Sequence, residues 1–157
     1  MVKSFFIFLV LITLKIISYL FFSIKVSWVK KDDKFSWEEI KLIFLLNHTS
    51  LFEYIYIGIL PVHFIWKLSK HLTFPVADVT YDQFLMRSFL KWLGPEVVRL
   101  TRRRDQTWTE LIQKIHADTI LIFLPEGRMK RENGLDKFGK PMTVRSGAAE
   151  ILKRFAG

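Results

Sequence analysis

Residues 40–47 read IKLIFLLN, an almost entirely apolar run that ends at Asn47. A run of this length and composition predicts a strand buried on both faces, as in a parallel sheet. A second such run, TILIFL at 119–124, is ended by Pro125, and EVVRL at 96–100 predicts a shorter strand. These three strands form the framework of the predicted fold.

Helical spacing of apolar side chains follows the strands. Four segments show it: 50–60, 82–94, 107–116 and 144–157. Asp82 is the predicted N-cap of the second segment, and Thr107 opens the third in capping-box spacing with Glu110. Strands that alternate with helices predict an α/β fold, here a mixed sheet flanked by helices.

The N-terminus carries the longest apolar stretch, SFFIFLVLITLKIISYLFFSI at 4–24, whose one charge is Lys15. As a helix it would reach roughly 31 Å, about the thickness of a hydrocarbon core. A lysine in mid-span costs about 2.5–3.5 kcal/mol, so a helix inserted into one leaflet is the alternative to a full span. A buried core helix and a cleaved signal peptide fit less well, because the stretch is so apolar and no small-x-small site follows.

The lysines that follow this stretch predict its orientation. Lys25, Lys30 and Lys31 come directly after it, which favours a cytoplasmic position for the remainder of the chain. We therefore expect a membrane anchor in 1–30 and a folded domain in 36–157 on the cytoplasmic side.

The composition points to an anionic, apolar partner. Lys and Arg number 24 against 15 acidic residues, a net charge of +9, and half of the residues are hydrophobic. A membrane leaflet offers both charge and apolar surface. A nucleic-acid partner is disfavoured because the chain has no recognised binding motif and carries the anchor. The lack of cysteine excludes disulfides, thiolate metal ligands and a cysteine nucleophile.

His48 directly follows the first predicted strand, where an open α/β sheet places its ligand crevice. Glu53 comes five residues later, and a carboxylate that orients a histidine is typical of general-base pairs. Ser50 and Glu53 also have capping-box spacing, so Glu53 equally fits a helix cap. The four histidines show no metal-ligand spacing such as H-E-x-x-H, and no metal site is predicted.

Two further strand ends are basic. FLPEGRMKRENG at 123–134 brings Arg128, Lys130 and Arg131 after a strand, and VVRLTRRRD at 97–105 does the same. Arginine forks suit phosphate oxygens, although most basic turns are simply exposed. Because parallel strands end at one edge of a sheet, we expect both clusters and the His48 segment to converge there.

The order of these segments resembles the glycerolipid acyltransferases, typified by lysophosphatidic acid acyltransferase (1-acylglycerol-3-phosphate acyltransferase). The matching blocks, between about 40 and 152, are NHTSLFE, VHFIWK, VVRLTR and FLPEGR. The resemblance places the family's motif residues at His48, Glu53, Lys67, Arg102, Glu126, Gly127 and, one position early, Arg128. Lys130 or Arg131 is an alternative counterpart of that arginine.

Two departures from the family pattern stand out. Glu53 replaces the family's aspartate, and the chain stops at Gly157, before the family's last apolar block. The expected domain is therefore incomplete at its C-terminus.

The resemblance implies acyl transfer from acyl-CoA or acyl-carrier protein to a lysophospholipid hydroxyl, most simply lysophosphatidic acid giving phosphatidic acid. His48 would act as general base and Glu53 would orient it. Arg102, Arg128 and Lys67 would hold the acceptor phosphate, with Glu126 fixing that cluster or the glycerol hydroxyls. No cofactor is implied beyond the thioester co-substrate. The alternative is a non-catalytic membrane-surface protein that binds anionic lipid.

Overall fold

The computed structural model describes residues 2–27, 36–47, 49, 53–84, 87–88, 97–101, 103–136 and 138–156. The chain divides into two compact units, which are described separately. The first comprises Met1–Ile40 and Ser50–Lys70, and the second comprises Lys41–Thr49 and His71–Gly157.

The first unit is built from helices. Its elements are α1 (Val2–Phe21), a 3₁₀ turn (Trp37–Glu39), a 3₁₀-helix (Glu53–Ile59) and α2 (Val62–His71), whose last residue belongs to the second unit. The helix predicted at 50–60 is thus present over its described part, but with the tighter 3₁₀ winding. α1 is long and apolar enough to cross a membrane. A signal sequence near an N-terminus has the same length and composition.

α1 lies against the 3₁₀-helix of the same unit through two polar side chains. The fully buried Ser18 donates its hydroxyl to the Ile55 carbonyl at 2.6 Å. The Lys15 ammonium donates to the carbonyls of Gly58 at 2.5 Å and Leu60 at 2.8 Å. A Cβ on Gly58 would lie 2.4 Å from Ser18 Oγ, so this close approach requires glycine.

The second unit contains a four-stranded sheet. Its strands are β1 (Leu42–Phe44), β2 (Leu72–Ala77), β3 (Val97–Leu100) and β4 (Ile120–Phe123), in the order β1-β4-β2-β3. All pairs in the described sheet are parallel, so the expectation of a mixed sheet was wrong in this respect. The strands predicted at 40–47, 96–100 and 119–124 are confirmed, whereas β2 was not predicted.

Helices cover the sheet of the second unit. They are α3 (Asp78–Tyr81), α4 (Gln106–Gln113) and α5 (Gly147–Ala156), and the helices predicted at 107–116 and 144–157 are thereby confirmed. Side chains of β3, β4, α4, α5 and the residue Ile115 just after α4 form one buried cluster: Val98, Leu111, Ile115, Leu121, Phe123 and Ile151. This core fixes the strands whose carboxyl ends carry the predicted site.

Two predicted N-caps have other roles. Asp105, not Thr107, caps α4, because its carboxylate accepts the Thr107 N–H at 2.9 Å. Hydrogen bonds from the hydroxyls of Thr101 and then Thr107 lower the pKa of Asp105. Asp82 is the C-cap residue of α3, and its carboxylate lies 2.5 Å from the Arg99 guanidinium. Part of 82–94, with the predicted stop at Gly94, falls outside the described residues.

Candidate active site

The predicted site residues are distributed over both units. His48 and Arg102 lie outside the described residues. Glu53 begins the 3₁₀-helix and Lys67 lies in α2, both in the first unit. In the second unit the motif residues follow β4 directly: Glu126, Gly127 and Arg128. The described motif residues that share one unit are thus those that follow β4.

β1 and β4 are neighbours in the sheet, which brings their carboxyl ends together. Phe44 pairs with Phe123, and the Leu45 N–H donates to the Phe123 carbonyl at 3.0 Å. The chain after β1 runs to Asn47, and the chain after β4 runs through Pro125 to Glu126. The predicted convergence of these two strand ends is present in the structure.

Asn47 joins the two strand ends. Its backbone N–H donates to Oε1 of Glu126 at 3.2 Å, and its Oδ1 accepts from the Lys130 ammonium at 3.1 Å. Its φ of 57° lies in the left-handed region, which asparagine tolerates better than most residues. The turn that leads into His48 is thus held by a carboxylate and a cation from the segment after β4.

Glu126 is itself held in place. It is 8 % exposed, and its backbone carbonyl accepts from Arg145 Nε at 3.2 Å. The Arg145 N–H donates to the Pro125 carbonyl at 3.0 Å, so one residue supports the turn through both its backbone and its side chain. The two hydrogen bonds from Arg145 hold the backbone of Pro125 and Glu126, and burial restricts the Glu126 carboxylate that accepts the Asn47 N–H.

Gly127 is required at this turn by its backbone conformation. Its φ is 61°, and its N–H donates to the Leu124 carbonyl at 3.0 Å, which closes a tight turn after β4. A Cβ at this position would lie 3.4 Å from Arg145 Nε. Glycine follows Glu126 in the predicted motif because the tight turn after β4 needs a positive φ at this position.

Arg128 forms an internal ion pair. Its Nη1 contacts the carboxylate of Asp136, which is 2 % exposed, and its guanidinium carbon lies 5.3 Å from the centroid of the Phe138 ring. Its Nε is buried, and no described residue accepts a hydrogen bond from it. Arg128 thus already has an anionic partner where the resemblance implies a phosphate.

The pKa of Asp136 is lowered to about 2. Burial alone would raise it, but the N–H of Lys140, the Arg128 guanidinium and the N–H of Phe138 together stabilise the carboxylate more strongly. The two N–H groups lie 2.9 and 2.8 Å from Oδ1. Asp136 therefore organises the loop after the Glu126-Gly127 turn as an ionised group.

Lys67 is engaged within the first unit. Its ammonium donates to the Glu38 carbonyl, and the Glu38 carboxylate lies 3.7 Å from His63 Nε2. The predicted phosphate-binding role of this lysine stays a prediction.

The third predicted strand end lies further along the same edge. β3 is three strand spacings from β1, roughly 14 Å, because β4 and β2 stand between them. Arg102 follows β3 in sequence and precedes Arg104 by two residues, and the Arg104 guanidinium lies 3.3 Å from the Glu150 carboxylate of α5. Part of this basic cluster therefore ties β3 to α5.

The sequence did not predict two residues of this region. Arg145 lies nineteen residues after Glu126 and shows no motif or periodicity that marks it as a partner. Asp136 lies among turn residues, between Gly134 and Gly139, both of which have positive φ. The sequence signal that points to Asp136 is an acidic residue between two closely spaced glycines. Within the described ranges, no three His, Asp or Glu side chains are placed to hold a metal ion.

Comparison of the chain with protein-family models, with curated proteins and with solved structures finds no match. The resemblance to the acyltransferases thus rests on the quoted motif blocks and their order. The geometry around Asn47 and Glu126 is independent of that resemblance.

Proposed function

We propose that the chain is a membrane-bound O-acyltransferase of the glycerolipid type. It would move a fatty acyl group from acyl-CoA or acyl-carrier protein to a lysophospholipid hydroxyl, most simply lysophosphatidic acid giving phosphatidic acid. The observation that carries the proposal is the hydrogen bond from the Asn47 N–H to the Glu126 carboxylate, 3.2 Å long. It joins the NHTSLFE and FLPEGR segments, the two most specific of the motif blocks.

The chemistry starts at His48, which immediately follows Asn47. The imidazole takes the proton of the acceptor hydroxyl as that oxygen attacks the thioester carbonyl carbon. A C–O bond forms, the C–S bond breaks, and the leaving thiolate takes the proton back from the imidazolium. General-base catalysis of this kind contributes about 10²–10⁴-fold.

Glu53 is the proposed partner of the imidazole. A carboxylate that accepts the second ring N–H fixes the tautomer and stabilises the imidazolium that forms. Glutamate is one methylene longer than the aspartate of the family pattern, so the backbone or the side-chain rotamer must absorb the extra length.

Cationic side chains near this turn supply the attraction for the phosphate of the acceptor. The Lys130 ammonium lies 3.1 Å from Oδ1 of Asn47, the residue that precedes the proposed base in the sequence. Arg128 is shared with Asp136, which favours Lys130 as the phosphate contact closest to His48. Arg102 and Lys67 remain proposed contacts on the basis of the resemblance.

The direct test is acceptor-dependent product formation. Protein reconstituted in liposomes is given acyl-CoA or acyl-carrier protein and a panel of lysolipids that differ in head group, and the acylated lipid is identified by mass spectrometry. We expect a diacyl product with at least one lysophospholipid and release of one thiol per ester formed. Lipid binding without product from any donor and acceptor would instead support the non-catalytic lipid-binding protein.

A further inference from the structure

Arg145 lies just before α5 and spans the turn that follows β4. Its backbone N–H donates to the Pro125 carbonyl at 3.0 Å, and its Nε donates to the Glu126 carbonyl at 3.2 Å. The side chain also runs along Gly127, where an added Cβ would lie 3.4 Å from Nε and 3.6 Å from Cδ. One arginine thus borders three consecutive residues of the FLPEGR segment.

The position of Arg145 is itself fixed by the start of α5. Its carbonyl accepts the Ala148 N–H at 3.0 Å, and the side chains of Ala148 and Ile151 are buried in the second unit. The next residue, Ser146, accepts a hydrogen bond from Arg104 Nη2 at 3.3 Å, which ties the helix start to the segment after β3. The side chain that reaches the turn after β4 therefore extends from a helix end that is anchored in the core.

The turn that Arg145 holds determines where the Glu126 carboxylate lies. That carboxylate accepts the Asn47 N–H at 3.2 Å, and Asn47 has a φ of 57°, a conformation that needs support from its surroundings. A shift of the Glu126 backbone would move the carboxylate and release this N–H. Asn47 directly precedes the proposed base, and a misplacement of about 1 Å at a reacting group costs about 10²-fold in rate.

We propose that Arg145 is a positioning residue for the base, and that it acts through the Glu126 carboxylate and the Asn47 N–H. The catalytic part of this inference rests on the proposed acyl transfer. The role needs a hydrogen-bond donor at the position of Nε, because that atom meets the Glu126 carbonyl. Lysine keeps the positive charge of arginine but has a methylene group where arginine has Nε, so charge alone does not replace Arg145.

Turnover of the full chain in liposomes tests the role with Arg145→Ala, Arg145→Lys, Glu126→Ala and the double alanine variant. Arg154→Ala is the matched control, because Arg154 Nη2 donates to the Ile115 carbonyl at 3.5 Å near the other end of α5. We expect kcat to fall about 10²-fold in Arg145→Ala and similarly in Arg145→Lys, with KM for both substrates within about twofold. The double variant should fall no further than Glu126→Ala. An unchanged kcat in Arg145→Ala, full activity in Arg145→Lys, or losses that multiply in the double variant would overturn the proposal.

A second readout is independent of turnover. Hydrogen exchange of the Asn47 amide, followed by NMR on isotope-labelled protein in detergent micelles, reports whether its bond to Glu126 persists. We expect exchange about tenfold or more faster in Arg145→Ala and Arg145→Lys than in the wild type, and no change in Arg154→Ala. Unchanged exchange in Arg145→Ala would overturn the positioning role even in an active enzyme. Faster exchange in Arg145→Ala without turnover in the wild type would support the contact between Arg145 and the turn and contradict the acyl transfer.

Discussion

The backbone N–H of Asn47 lies 3.2 Å from Oε1 of Glu126, seventy-nine positions further along the chain. The two residues meet because β1 and β4 are adjacent parallel strands, and parallel neighbours release their chains at the same edge of the sheet. The residue before the proposed base is therefore positioned by a buried carboxylate from a distant segment.

Replacement of Glu126 should affect both stability and turnover. Glu126→Ala removes the carboxylate that accepts the Asn47 N–H, and a hydrogen bond to a charged group contributes about 1.5–3 kcal/mol. We expect a loss of that order in the free energy of unfolding by denaturant, with a fall in kcat larger than the rise in KM. Glu126→Gln keeps an acceptor oxygen and should lose less. Glu132→Ala, at an exposed site in the next turn, is the control and should change neither quantity.

Asp136 should make stability depend on pH in the acid range. Its folded-state pKa of about 2 is below the ordinary value of 3.8, so its contribution is fully present above about pH 4 and is lost as pH falls towards 2. Asp136→Asn should lower stability at pH 6 and flatten the decline between pH 4 and 2. Urea unfolding followed by circular dichroism at several pH values measures this. If the exposed Asp118→Asn flattens the decline equally, the effect does not belong to the Arg128–Asp136 pair.

A side chain at Gly58 should lower the stability of the protein. A Cβ there lies 2.4 Å from Ser18 Oγ and 3.1 Å from Ile24 Cδ1, so Gly58→Ala overpacks the contact between α1 and the 3₁₀-helix. Overpacking typically costs about 1–3 kcal/mol. Thermal unfolding in detergent should show a lower midpoint for Gly58→Ala and a smaller further loss when Ser18→Gly is already present. Thr13→Ala on the opposite face of α1 serves as the control, and additive effects of the two substitutions at the contact would contradict the predicted clash.

Gly147 provides the corresponding test in the second unit. A Cβ at the start of α5 would lie 2.6 Å from the Trp108 ring, and Trp108 Nε1 is buried without a described hydrogen-bond partner. Gly147→Ala should therefore destabilise the protein by about 1–3 kcal/mol. In a Trp108→Phe background the same substitution should cost clearly less, because the smaller ring leaves room for the added methyl group. A double-mutant cycle on unfolding free energies gives the coupling, and a coupling of zero would contradict the contact.

The sequence predicted three strands of the sheet, β1, β3 and β4, but not β2. β1 and β4 are marked by apolar runs, whereas β2 contains Pro75, which disfavours a central strand. The structure accommodates it because β2 pairs with β4 only at Leu72 and Thr73, before the proline, and with β3 beyond that point. Such a division of partners is a tertiary property that a linear pattern does not contain.

The same limit applies to caps and to the site. Thr107 has capping-box spacing, yet Asp105 two residues earlier takes the cap, because its carboxylate reaches both the Thr107 N–H and hydroxyl. Glu126 and Gly127 were predicted from the motif, but the partners that hold them come from distant segments. Asn47 reaches Glu126 through strand adjacency, and Arg145 reaches it from the start of the last helix. The order of the motifs predicts which segments form the site. The packing of the fold determines which residues of those segments form hydrogen bonds with each other.

His48 is the proposed base of the acyl transfer. The measurement is the initial rate of thiol release from acyl-CoA in liposomes with lysophosphatidic acid, for the wild type, His48→Ala and the control His116→Ala, whose residue is exposed. We expect acceptor-dependent release in the wild type and in His116→Ala, and a fall of about 10²–10⁴-fold in His48→Ala. Equal rates in the wild type and His48→Ala, or no acceptor-dependent release from either, would contradict this role.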